Sequence, residues 1–207
     1  MILRILAISA VLMSYLAVAE TQLFDGKSFR GWNGDTNTTW RIENGALVGG
    51  SMASKVPRNE FLCTERAFTN FVLHLKFKLV SKLGEANAGI QIRSQRVKDP
   101  PNEMSGYQAD LGEPEWWGSL YDESRRNKTL VKADMSELNK VLKRGDWNEY
   151  LIRCEGKRIR LAINGVQTVD YIEPDAAIPQ YGFIGLQIHG GGATEAWYQD
   201  IKIEELP

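Results

Sequence analysis

Between Gly106 and Lys128 the chain reads GYQADLGEPEWWGSLYDESRRNK, which gathers four aromatic rings, five carboxylates and three basic groups with no sustained hydrophobic period. Carboxylates can take or give a proton, and cations can neutralise negative charge that develops during a reaction. Two other segments add groups of the same kind. In NAGIQIRSQ, Ile90 and Ile92 alternate with Gln91 and Arg93, and in GFIGLQIHGGG, Ile184, Leu186 and Ile188 alternate with Phe183, Gly185, Gln187 and His189. Within SGYQADLG, Tyr107, Ala109 and Leu111 share one face while Gln108 and Asp110 share the other. A period of two sends successive side chains to opposite faces of a strand. If these strands are neighbours facing the same way, Gln91, Arg93, Gln108, Asp110, Gln187 and His189 form one polar patch.

The elements that must position these groups are strands. FVLHLKFKLV sets Phe71, Leu73, Leu75, Phe77 and Leu79 against Val72, His74, Lys76 and Lys78, the period of a strand with one buried face. KRIRLAINGVQTVDY repeats the pattern at Ile159, Leu161 and Ile163, and EAWYQDIKIEEL closes the chain in the same manner. Asn44-Gly45 and Asn164-Gly165 are the pairs that a type I′ hairpin needs, because both central residues take positive φ. A single helix is predicted in ADMSELNKVLKRG, with Asp134 as N-cap, Met135, Leu138 and Leu142 on one face, and Gly145 at its end. Many short strands, tight turns and almost no helix predict an all-β fold, a two-sheet antiparallel β-sandwich with one short helix.

The first residues are set aside. MILRILAISAVLMSYLAVAE has Arg4, an apolar run from Ile5 to Val18 and a small-x-small ending at Ala17-Val18-Ala19, the pattern of a secretory signal peptide spanning 1–19. Residues 20–207 then form one domain, exported to a periplasm, the cell surface or the medium, with no second stretch apolar enough to cross a bilayer. The formal charge of −1 leaves no electrostatic footprint for nucleic acid or anionic membrane. Six Trp and seven Tyr are compatible with a neutral sugar as partner. Two cysteines, Cys63 and Cys154, lie in strand-like sequence and read as free buried thiols. With two histidines and no paired C-x-x-C spacing, a zinc site has no support. The oligomeric state is not encoded in these patterns.

LFDGKSFRGW, WRIENGALVG, NEFLCTERAFTNFVLHLKFKL, NAGIQIRS, GYQADLG followed by WWGSLYDE, DWNEYLIRCEGKRIRLAINGV and GFIGLQIHGGG with WYQDIKIEEL occur in this order from Leu23 to Leu206. Together they resemble the 3-keto-disaccharide hydrolase domain family. That resemblance implies a jelly-roll sandwich of the concanavalin A-like lectin and glucanase type. It also implies cleavage of glycosides already oxidised to a ketone at C3. The ketone acidifies the C2 proton, so a base forms an enolate, the enolate expels the C1 substituent, and water adds back. Such chemistry needs a base near C2, donors near the ketone oxygen and an acid near the leaving oxygen. It needs no metal, although sandwiches of this class sometimes hold a structural calcium.

The resemblance also assigns roles. Asp110 falls where the family carries an acidic residue at a strand end, which makes it the first candidate for base or polarising group. His189 is the second candidate, with Gly190 to Gly192 beside it leaving space for a substrate to approach the backbone. Arg93 is the third, as a partner for the ketone or hydroxyls. Gln91, Tyr107, Gln108 and Gln187 would bind substrate, and Trp116, Trp117 and Tyr121 would form a stacking wall on the loop after Gly112. Asp122 and Lys128 are placed with them, and Asp122 and Glu123 are counted among the loop carboxylates. Arg125 and Arg126 would neutralise an enolate or pair with those carboxylates. The alternative reading is a non-catalytic carbohydrate-binding module on the same fold.

Overall fold

The computed structural model describes residues 20–82 and 86–207, so the expected leader at 1–19 lies outside the described residues. In chain order the strands are β1 (Thr21–Gln22), β2 (Trp32–Asn33), β3 (Trp40–Glu43), β4 (Ala46–Gly50) and β5 (Glu60–Thr64). They continue with β6 (Phe71–Ser81), β7 (Asn87–Arg96), β8 (Met104–Gly112), β9 (Leu120–Glu123) and β10 (Lys128–Val131). After helix α1 (Met135–Leu138) come β11 (Asn148–Glu155), β12 (Arg158–Ile163), β13 (Val166–Ile172), β14 (Phe183–Ile188) and β15 (Thr194–Glu205). One sheet runs β13, β12, β11, β6, β15, β4, β3, with β1 also against β15, and the other runs β10, β9, β8, β7, β14, β5, β2. All the pairings are antiparallel. The fold is therefore the expected two-sheet antiparallel sandwich.

Alternation fixes which residues fill the space between the sheets. Leu73, Leu75, Phe77 and Leu79 of β6 meet Ile90 and Ile92 of β7, Ala109 and Leu111 of β8, and Ile184, Leu186 and Ile188 of β14 in one buried cluster. Both Asn-Gly pairs make the predicted tight turns, with φ of 50° and 76° at Asn44-Gly45 and 49° and 83° at Asn164-Gly165. The helix is shorter than its pattern. Asp134 caps it by accepting from the Ser136 amide, but regular helix stops at Leu138. Asn148 takes over at Lys143, accepting from its amide and donating to its carbonyl at 2.8 Å each, which replaces further helical bonds. Both cysteines are free and buried, Cys154 in the core and Cys63 on the outer side of the seven-stranded sheet.

Candidate functional site

The seven-stranded sheet presents its outer face as a row-by-row surface set by register. Gln91 stands opposite Gln108, Gln108 opposite Tyr121, and Gly185 opposite both Gln91 and Cys63. In the next row Asp110 pairs with Gly89, and Gly89 with Gln187. Gly89 is required there, because a Cβ would sit 2.7 Å from the Gln108 side chain that lies across it. The amides form a directed chain. Ser94 Oγ donates to Gln91 Oε1 at 2.6 Å, Gln91 Nε2 donates to Gln108 Oε1 at 2.7 Å, and Gln108 Nε2 donates to Asp110 Oδ1 at 2.7 Å. Three side chains thus agree on one orientation and fix the Asp110 carboxyl.

Glu123 closes the face from the other side. It follows Asp122 on β9 and turns outward, in register with Gly106, where Gln187 Nε2 approaches its Oε2 at 3.4 Å. Gln187 is fully buried, and its Oε1 has no protein partner. A buried acceptor without a donor costs about 1–3 kcal/mol, a cost this face carries at Gln187.

Electrostatics separate these carboxyls from ordinary surface acids. Burial pushes the Asp110 carboxyl up to about 8, the Gln108 hydrogen bond opposing and the Glu123 charge adding to the shift. Burial also pushes Glu123 up to about 7, helped by Glu103 and Asp122 and opposed by Gln187 and the Ser124 amide. Cations figure among the causes of neither shift. Burial and the same carboxylates hold the Tyr121 hydroxyl above its ordinary value. Two carboxyls titrating near neutrality on one face can act as an acid and a base. Among the described residues no group of three or more His, Cys, Asp or Glu is arranged to hold a metal ion.

His189 lies at the end of β14, with its amide donating to Asn87 O at 3.2 Å. Its Nδ1 is 2.7 Å from Gly190 O, and since a carbonyl only accepts, Nδ1 carries a proton. The glycine beside it serves packing. A Cβ on Gly190 would lie 2.6 Å from Arg58 Cα, so the space goes to the loop before β5 and not to a substrate.

Several expected site residues lie elsewhere. Arg93 sits on a bulge, at φ 50° where the β7–β8 register shifts, and its guanidinium turns to the end of the sandwich. There it donates to Thr69 O, Gly156 O, Gln180 Oε1 and Asn70 Oδ1, and 2% of it is exposed. Tyr107 faces the core and donates its hydroxyl to Glu173 Oε2 at 2.7 Å. Asp122 is buried against Arg125 and Arg126, the latter also reaching Glu173 at 2.8 Å. Those arginines therefore pair with carboxylates at the sandwich end. Trp117 packs between the sheets, 6.2 Å from the Phe77 ring, because Gly118 at φ 70° turns the loop inward. Trp116 stays half-buried near Lys132, 5.9 Å away, and Lys128 is exposed on the edge strand β10.

Gln91, Gln108, Asp110, Tyr121 and Gln187 do come together on one face, with His189 at its border. Glu123 belongs with them, and strand alternation in LYDE separates it from Asp122. Glu103 had no signal, since its hairpin has no period. Phe61, Cys63, Met104 and Phe183 form an apolar cluster beside the polar patch, signalled by hydrophobic residues at outward positions of their strands.

Among solved structures, a proposed glycosyl hydrolase from Parabacteroides distasonis ATCC 8503 is similar at 18% identity and a TM-score of 0.69, over 91% of this chain and 94% of that one. The carbohydrate binding module CBM66 from Bacillus subtilis is similar at 15% identity and 0.65, over 84% and 96%. A protein with a galectin-like fold from the same species is similar at 9% identity and 0.67, over 91% and 95%. At such identities the likeness carries the fold alone. No curated protein matches the sequence. One family does, that of the 3-keto-alpha-glucoside-1,2-lyase-like domain, over residues 19–204.

Proposed function

This carbohydrate-active chain belongs to the 3-keto-alpha-glucoside-1,2-lyase-like domain family, and on that premise we propose that it is an exported enzyme cleaving 3-keto-glycosides by elimination and hydration. The observation that carries the reading is a buried carboxyl and a half-buried one, Asp110 at about 8 and Glu123 at about 7, on one face with amide side chains. At neutral pH Glu123 is substantially ionised and takes the C2 proton. The C2–H electron pair becomes an enolate whose charge rests on the C3 oxygen, and Gln187 Nε2, held loosely by Glu123, donates to that oxygen. As the ketone re-forms, the C1–O bond breaks, and Asp110, still protonated, gives its proton to the departing oxygen. Water then adds at C1 and a proton returns to C2, with Asp110 and Glu123 in reversed roles. A lectin site for a neutral sugar gains nothing from two carboxyls poised near neutrality, which weighs against the binding-module reading.

The test is a paired assay on protein from Glu20 onward, with an aryl 3-keto-glucoside in one tube and the unoxidised glucoside in the other. The expected result is release from the keto form alone, with a rate that rises and falls around pH 7 to 8. Asp110→Asn and Glu123→Gln should each lower kcat/KM by about 10²–10⁴ in folded protein. Cleavage of the unoxidised glucoside would overturn the mechanism. Binding without cleavage of either sugar would favour the non-catalytic module.

A further inference from the structure

Strict alternation along β7 would send Gln91 and Arg93 to the outer face and Ser94 to the core. The bulge overrides it. With Arg93 at φ 50° and the β7–β8 register shifting after Ile92, Ser94 takes the outward place beside Gln91. Gly106 leaves room for it, because a Cβ there would lie 2.4 Å from Ser94 Oγ. A neutral hydroxyl thus stands where alternation would put a guanidinium, and Ser94, Gln91 and Gln108 are all buried.

From this arrangement we propose that Ser94 and Gln91 are positioning residues, which act through Gln108 to keep the proton of a neutral Asp110 on Oδ2. The inference deepens the reading of Asp110 as the acid of the reaction, and rests on that reading for its consequence in turnover. A primary amide has a donor end and an acceptor end, so each link dictates the next. Ser94 Oγ has one proton to donate, and Gln91 Oε1 at 2.6 Å is nearer than Ile92 O at 3.1 Å or Tyr107 O at 3.2 Å. That leaves Gln91 Nε2 for Gln108 Oε1, and Gln108 Nε2 for Asp110 Oδ1, at 2.7 Å each. An oxygen that accepts from an N–H cannot also aim a proton at it. A proton on Asp110 therefore sits on Oδ2, the oxygen that Gln108 leaves free.

Reversing the relay would move that proton. Without the Ser94 hydroxyl, the acceptors left around the far end of Gln91 are the Ile92 and Tyr107 carbonyls, which favour its Nε2 over its Oε1. Gln91 then turns over and Gln108 follows, so that Gln108 Oε1 faces Asp110 and draws the proton onto Oδ1. Losing a donor and gaining an acceptor both strengthen the carboxyl's hold on its proton. The titratable groups that bear on Asp110 are Glu123 and Tyr121 of β9 and Tyr150 of β11, and a neutral substitution at Ser94 changes the charge of none.

The test is a carbon NMR titration of the Asp110 carboxyl in protein from Glu20 onward, with Asp110→Asn to assign the signal. Ser94→Ala is expected to move the midpoint upward from about 8 by about one to two pH units, the worth of a hydrogen bond to a charged group. Gln91→Met keeps the volume, cuts the relay at its middle link, and should move the midpoint the same way. With an aryl 3-keto-glucoside at neutral pH, Ser94→Ala should lower kcat at least about tenfold with KM unchanged, although more of Asp110 is then protonated. A midpoint unmoved or lowered in either folded variant would overturn the proposal. So would a raised midpoint with kcat unchanged, since the reaction would then not need the proton on Oδ2. If the midpoint rises as expected but the wild type cleaves no 3-keto-glycoside, the relay stands and the catalytic reading alone has failed.

Discussion

Asp122 and Glu123 are consecutive on β9, yet they end in two different settings. Asp122 turns to the sandwich end and joins Arg125, Arg126 and Glu173. Glu123 turns to the outer face and joins Asp110, two amides and no cation among its shifting groups. Glu173 shows what the first setting does. Burial alone would raise its carboxyl, but hydrogen bonds from Arg126, Tyr107, the Asp175 amide and Tyr171 win and hold it at about 2. In the second setting burial is opposed only by neutral hydrogen bonds, one to Asp110 and two to Glu123, and the carboxyls rise to about 8 and 7. Burial by itself does not make a reactive acid. The missing cation does, and the fold pairs one carboxylate cluster fully while leaving its neighbour unpaired.

The largest test of this contrast is the pH dependence of stability at Asp110. Its folded value, about 8, lies above the ordinary 3.8. The stability linked to its protonated form is therefore fully present below about 3.8 and lost as pH rises through about 8. Asp110→Asn cannot ionise, and its amide can still accept from Gln108. The variant should match the wild type near pH 4 and exceed it at pH 9, by at most about 6 kcal/mol. Urea unfolding at both pH values reads this directly. An equal offset at the two would mean that Asp110 is not a buried titrating group.

The opposite cluster gives the second test. Tyr107→Phe removes the 2.7 Å hydrogen bond to Glu173 and should cost about 1.5–3 kcal/mol, the range for a bond to a charged group. Glu173 titrates below its ordinary 4.5, so its contribution is present above that value and lost as pH falls through about 2. The deficit of Tyr107→Phe should thus shrink in unfolding curves taken toward pH 2, while cleavage of a 3-keto-glycoside at neutral pH stays unchanged. A loss of activity in folded Tyr107→Phe would return this residue to the substrate site.

Much of this arrangement is legible in the residues themselves. The Asn-Gly turns and the alternation in β6, β7, β8 and β14 place Gln91, Gln108, Asp110 and Gln187 on the outer face, because the aliphatic set of each strand must meet the other sheet. Arg93 breaks that logic through a bulge, which adds a residue without any signature in QIRSQ. LYDE tells that Asp122 and Glu123 point to opposite faces, but which one faces outward depends on pairing with β8 at Gly106 and Tyr107. Trp117 differs from Trp116 only through the backbone turn at Gly118. Local pattern therefore gives the face, and long-range pairing decides which charged residues share it.

The smallest expected effect belongs to Lys128, which tests whether basic charge on the loop matters at all. It is exposed on the edge strand β10, in register with Asp122, and forms no ion pair among the described residues. Asp122 already has both arginines, so Lys128 adds neither a partner to the paired cluster nor a cation to the unpaired one. Lys128→Ala should change stability by less than about 0.5 kcal/mol, as surface substitutions without such partners do. Turnover of a 3-keto-glycoside should stay within about twofold, because an exposed charge is screened beyond a Debye length of roughly 8 Å at physiological salt. A larger fall in kcat, steeper at low salt, would mean that a cation does reach the outer face during the reaction. The carboxyls would then be less isolated in the substrate complex than they are in the free protein.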